Sequence, residues 1–228
     1  RMVMVVALLF AACQIDESSS GAWQGEIQRW GTLQQALRDG QDQGRVVVAD
    51  VAADGVYGVG ALEGLRGEVT LLDGEVWISE GDATAPVTVR GEPGDAEATV
   101  LFTADVQQWV EIPVDEQVDP SVFDAWLARQ ARAAGVDVNR PFPFVVEGEL
   151  SHLSMHVIAG ECPMRARMLD KPMTAPPFEL HSEQIEGRLV GIFAPDSGGI
   201  ICHMGSRTHT HAVIEQDGDL TGHVETVG

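Results

Sequence analysis

The chain has 228 residues, 44% of them hydrophobic, enough for one large domain or two small ones. Its 35 acidic residues against 14 basic ones give a formal charge of −21. That field repels nucleic acid and anionic membrane surfaces, and no Lys/Arg run offsets it, so nucleic acid is excluded as a partner.

In chain order, an apolar run at 2–12 ends in Phe10-Ala11-Ala12-Cys13. It resembles a bacterial lipoprotein signal, in which the cysteine is lipidated. The run is short for a spanning helix, and residues 14–20 read as a polar tether. Residues 1–20 are therefore expected to be signal and tether, with the first 13 outside the fold. The protein is then exported and lipid-anchored through Cys13, in the periplasm or on the cell surface. In that compartment Cys162 and Cys202 are either a disulfide or two buried thiols. The bridge would add about 4 kcal/mol in the chain-entropy picture.

A helix is expected after Thr32, which is spaced with Gln35 as a capping box, and Gly40 ends it. Short apolar runs at 45–51, 69–72, 75–78, 87–89 and 99–103 read as strands, with a hairpin turning at Asp73-Gly74. A second helix is capped by Asp119, has Pro120 in its first turn, buries Val122, Phe123, Trp126 and Leu127, and stops at Gly135. More strands follow at 144–146, 150–158, 188–193, 208–215 and 220–227. The expected class is α+β: two mainly β sheets and few helices, with domains at 21–135 and 136–228.

The chemistry-bearing segment is His209-Thr210-His211 with His223. On a strand, residues two apart share a face, so His209 and His211 project together. Gln216-Asp217-Gly218 suits a three-residue hairpin loop with Gly in the left-handed position. That register puts His223 opposite His211, with Cβ atoms about 5 Å apart. Three imidazoles converging in this way could hold one divalent ion and leave a position open, as in catalytic zinc sites. A two- or four-residue loop would turn His223 away. On spacing alone, a polar histidine face without metal is equally open. For His152, His156, His181 and His203 the pattern favours structural or solvated roles, although His203 is also a candidate substitute ligand. Glu68, flanked by glycine at the start of a strand, is a candidate acid/base group; a surface strand glutamate is the plainer reading.

These segments resemble the bacterial alpha-acetolactate decarboxylase family. The resemblance rests on Gly31-Thr32-Leu33-Gln34-Gln35-Ala36-Leu37, on the segment 57–68 followed by Leu72-Asp73-Gly74, on the segment 186–196, and on His209-Thr210-His211 with Gly222-His223-Val224. It implies an acetolactate-decarboxylase-like fold and zinc on His209, His211 and His223, with Glu68 as catalytic carboxylate. The implied reaction turns 2-acetolactate, a 2-hydroxy-3-keto acid, into acetoin, with zinc stabilising an enediolate. The family is usually dimeric, so a homodimer is among its implications. Three departures favour an alternative: a catalytically altered zinc-binding lipoprotein that binds a small ligand. The family's substrate-binding arginine falls on Val145, its threonine falls on Ala61, and the sequence ends at Gly228, before the family's C-terminal glutamate. Arg140, Arg165 and Arg167 are candidates for the arginine's place.

Overall fold

The computed structural model describes residues 2–8, 23, 25–216 and 218–228. It has thirteen strands: β1 (Met2–Leu8), β2 (Gln28–Trp30), β3 (Val46–Val47), β4 (Val56–Leu62), β5 (Gly67–Leu72), β6 (Glu75–Glu80), β7 (Val87–Gly91), β8 (Glu97–Asp105), β9 (Gln108–Val114), β10 (Phe142–Val157), β11 (Phe178–Phe193), β12 (Thr208–Ile214) and β13 (Leu220–Thr226). The α-helices are α1 (Phe123–Ala133) and α2 (Pro163–Leu169). None is long and apolar enough to cross a membrane. The expected class of two sheets with few helices is what the chain forms.

The first sheet runs β2-β8-β4-β5-β6-β7, with β3 also on β8. Its β5–β6 hairpin turns where expected: Asp73 and Gly74 both have positive φ, 55° and 79°, as a type I′ turn requires. The second sheet runs β11-β12-β13-β10-β1-β9, and β11 also pairs with β10, so β10 to β13 close into a ring of pairings. All six residues of β5 are buried. Val69 and Leu71 enter a core cluster on one face of the first sheet. By alternation Glu68 and Thr70 point the other way, toward the second sheet. Between the sheets Val59, Val100, Phe102 and Trp77 meet Val190 and Ile192.

Several expectations need correction. Residues 2–8 do not stand outside the fold: as β1 they pair antiparallel with both β9 and β10. Cys13 and the segment 14–20 lie outside the described residues. The sheets do not divide at residue 135. Strand β9 belongs to the second sheet, and Phe123, Trp126 and Leu127 of α1 pack with Phe142, Phe144 and Phe193. The Asp119 cap is present, accepting from Ser121 N at 2.8 Å, but Val122 is 48% exposed and lies off the buried stripe. The first helix is only a π-type turn, Gln34–Arg38, although Gln35 N does donate to Thr32 Oγ1 at 3.1 Å. Strands β4 and β9 and helix α2 were not expected. Of the two alternatives for Cys162 and Cys202, the structure has the pair of buried thiols.

Candidate metal centre

The expected register holds between β12 and β13. His211 pairs with His223 and Ile214 with Leu220 across β12 and β13. Alternation then brings His209, His211 and His223 to one buried point between the sheets. Their candidate ligand nitrogens lie within 4.8 Å of one another, and the residues are 4%, 0% and 7% exposed.

The hydrogen bonds at the back of two rings decide which nitrogen faces that point. His209 Nδ1 lies 2.8 Å from the Ile201 carbonyl. A carbonyl only accepts, so Nδ1 carries the proton and Nε2 keeps its lone pair. His211 Nδ1 lies 2.9 Å from Thr70 Oγ1, which lies 2.6 Å from Thr221 Oγ1. Thr221 in turn donates to the Ala212 carbonyl at 3.1 Å. With the last hydroxyl committed to a carbonyl, the chain runs one way. Thr70 donates to Thr221 and accepts from His211 Nδ1–H, and His211 Nε2 is left with a lone pair. That nitrogen is buried without a hydrogen-bond partner. A native interior rarely tolerates such an atom, and a cation would satisfy it.

Electrostatics agree with this donor set. Burial pushes His209 down to about 3 and holds His211 and His223 well below the usual imidazole range. All three rings are therefore neutral at physiological pH, the state in which imidazole binds metal. Three neutral imidazole nitrogens form a donor set suited to zinc or a similar transition metal, rather than to magnesium or calcium.

Glu68 is 3% exposed, with Oε2 3.5 Å from His211 Nε2. Burial raises its pKa to about 7, against the lowering effect of His156 and of the Ile158 N–H. The structure thus brings together every residue the sequence placed at the site: Glu68, His209, His211 and His223.

Two more residues reach the site. On an unbroken strand His156 would share a face with His152, four residues before it, but His152 has a φ of 48° and the register shifts between Ser154 and Met155. His152 consequently stays at the surface beside Glu183, while His156 turns inward opposite His223. Its Nδ1 is 3.1 Å from Glu225 Oε1 and its Nε2 is 3.9 Å from Glu68 Oε1. Burial works to lower its pKa, yet the two carboxylates hold it above the usual value. His203, on the 195–207 loop, has its ring 5.0 Å from that of His223. Its position in a Gly-rich turn six residues before His209 was the one available signal. For His156 the bulge removed any periodic signal.

Glu68, His156, His203, His209 and His223 line a cavity of about 30 Å³, walled by Leu33, Leu65, Val100 and Ile158 among others. Ala61, where the family's threonine falls, lines it. Val145 does not. It lines a separate groove with Tyr57 and Trp109. The basic group that β10 does bring to the cavity is His156. Cys162 lines the cavity too, whereas burial, reinforced by Asp124, pushes the Cys202 thiol up to about 12.

Known proteins share this architecture. The chain is 23% identical over 190 residues to an alpha-acetolactate decarboxylase of Lactococcus lactis subsp. cremoris, spanning 83% of this chain and 74% of that protein. A second, from L. lactis subsp. lactis, is 24% identical over the same shares. Among solved structures, alpha-acetolactate decarboxylase from Bacillus subtilis strain 168 matches with a TM-score of 0.60 at 20% identity, over 88% of this chain and 80% of that one. A Staphylococcus aureus protein of unknown function similar to alpha-acetolactate decarboxylase matches at 0.65 and 19% identity, over the same shares. The family profile covers residues 30–228, from the strand before the first helical turn through all three histidines, and on that match the chain belongs to the alpha-acetolactate decarboxylase family.

Proposed function

We propose that the chain decarboxylates 2-acetolactate to acetoin, with zinc held by His209, His211 and His223. The observation that carries this is the buried, unpartnered His211 Nε2 inside a neutral three-histidine cluster, next to a carboxyl able to hold a proton near neutral pH. Family membership and the activity for which the Lactococcus relatives are named support the substrate. Zinc so bound supplies Lewis-acid stabilisation for the negative charge left as carbon dioxide departs.

The other steps belong to the protein's own groups. Glu68, protonated up to about pH 7, holds the proton that the reacting carbon must receive after carbon dioxide leaves. His156, tied to Glu225, stands behind that carboxyl and can resupply its proton. Leu33, Leu65, Val100 and Ile158 keep bulk water away, so these charges act in a low-dielectric space.

A second reading is a relative that binds zinc but takes a different small ligand. The lining of the cavity favours it: Ala61 stands where the family's threonine was expected, and no arginine or lysine is among the described lining residues. One experiment separates the two. Purified protein is assayed for bound zinc and for acetoin from acetolactate, alongside Glu68→Gln and His211→Ala. Turnover that disappears in both variants supports the decarboxylase. Stoichiometric zinc without acetoin supports the second reading, and protein that takes up no zinc rejects both.

A further inference from the structure

The cavity beside the histidines is small, about 30 Å³. A larger cavity of about 360 Å³ opens next to it, and His203 and His223 line both. The two rings form the partition. His223 cannot yield, because it sits on β13 in register with His211. His203 can. The loop before it is tied down by Gly199 N to Cys202 O at 2.7 Å, Leu33 N to Ile200 O at 3.0 Å and the Ile201 carbonyl on His209. After it comes a turn, Ser206 N to His203 O at 3.1 Å, with Met204 75% exposed and Gly205 at a φ of 95°, before Arg207 N is held by Asp124 Oδ2 at 2.7 Å.

Ring geometry shows what this movable imidazole does. Imidazoles on one tetrahedral ion, with metal–nitrogen distances of about 2.0–2.1 Å, have centroids about 5 Å apart. The three histidines of the centre meet this at 5.0, 5.4 and 5.7 Å. His203 meets it toward His223, at 5.0 Å, and misses it toward His209, at 6.5 Å. His156 is near too, 5.2 Å from His223, but its two nitrogens face Glu225 and Glu68 from a strand. Of the two extra histidines, only His203 has this spacing toward His223 while lying on a short exposed stretch of loop, which must shift by about 1.5 Å toward His209 for the ring to ligate.

We infer that His203 is an exchangeable fourth ligand, which closes the metal centre when substrate is absent and swings toward the outer cavity when a 2-hydroxy acid takes its position. Substrate entry and opening of the partition are then one event. This inference rests on the metal-centre reading above.

Cobalt(II) replaces zinc in the purified full chain, and its visible d–d band reports ligand number and type. With His203 bound, the substrate-free band is intense, as four-nitrogen tetrahedral sites give. In His203→Ala it weakens and shifts, and cobalt affinity falls by roughly tenfold or more, since a lost ligand should cost at least as much as a lost outer-shell partner. Added imidazole restores the band in the variant, which also shows that the variant is folded. Lactate, which shares the hydroxyl and carboxylate of the proposed substrate, moves the wild-type band to that of the lactate-bound variant. Superimposable wild-type and variant bands with equal affinities overturn the inference, and a wild-type band indifferent to lactate overturns the exchange. Wild-type protein that binds no cobalt overturns the metal-centre reading instead.

Discussion

Replacing Thr70 with valine tests the argument that a hydroxyl on one sheet aims a metal ligand on the other. Valine keeps the branched shape and strand preference of threonine and removes only the oxygen. In the native protein Thr70 Oγ1 accepts from His211 Nδ1 at 2.9 Å, in a residue that is 0% exposed. The variant leaves a buried ring N–H without a partner, which costs about 1–3 kcal/mol unless the ring turns. If it turns, His211 Nε2 leaves the convergence point. Loss of such an outer partner lowers metal affinity by roughly 10–100-fold, or about 1.4–2.7 kcal/mol. The two routes give the same magnitude. Zinc affinity is read by competition with a chromophoric chelator, with circular dichroism confirming the fold. Thr210→Val is the control: its hydroxyl is as buried and adjoins both histidines, yet has no partner, so its removal should leave affinity unchanged. A folded Thr70→Val protein with wild-type affinity, or equal losses in both variants, would refute the reasoning.

Two further outcomes follow from the structure. Glu68 has a folded pKa of about 7 against 4.5 unfolded, so the stability of the metal-free protein linked to this group is fully present below about 4.5 and lost as pH rises through about 7. The loss is about 3 kcal/mol. Metal-free Glu68→Gln should therefore melt higher than wild type at pH 8 with a much smaller gain near pH 4.5, and a pH-independent difference would contradict the burial of an ionisable carboxyl. Deleting residues 1–13 removes β1 and leaves edges of β9 and β10 unpaired, so the truncated chain should lose thermal stability. Unchanged melting and zinc affinity would return the segment to the role of a leader outside the fold.

The histidine triad is legible in the amino-acid sequence because both rules behind it are local. Side chains alternate along a strand, and a loop of three residues sets the register of the hairpin it closes. The Asp73-Gly74 turn and the α1 cap are legible for the same reason. Glu68 has only weak local support and needs the family resemblance to stand out. The tertiary structure alone decides the rest. Thr70 and His211 lie 141 residues apart and meet because two sheets face each other. A bulge in β10 turns His156 inward, against strict alternation, while Val145 goes to another groove. His203 reaches the cavity on a loop held by backbone hydrogen bonds from Leu33 N to Ile200 O and from Gln34 N to Gly199 O. Pattern and turn length place three ligands at one point. Only packing across the sheets decides which nitrogens face that point and which carboxyl and imidazoles stand beside it.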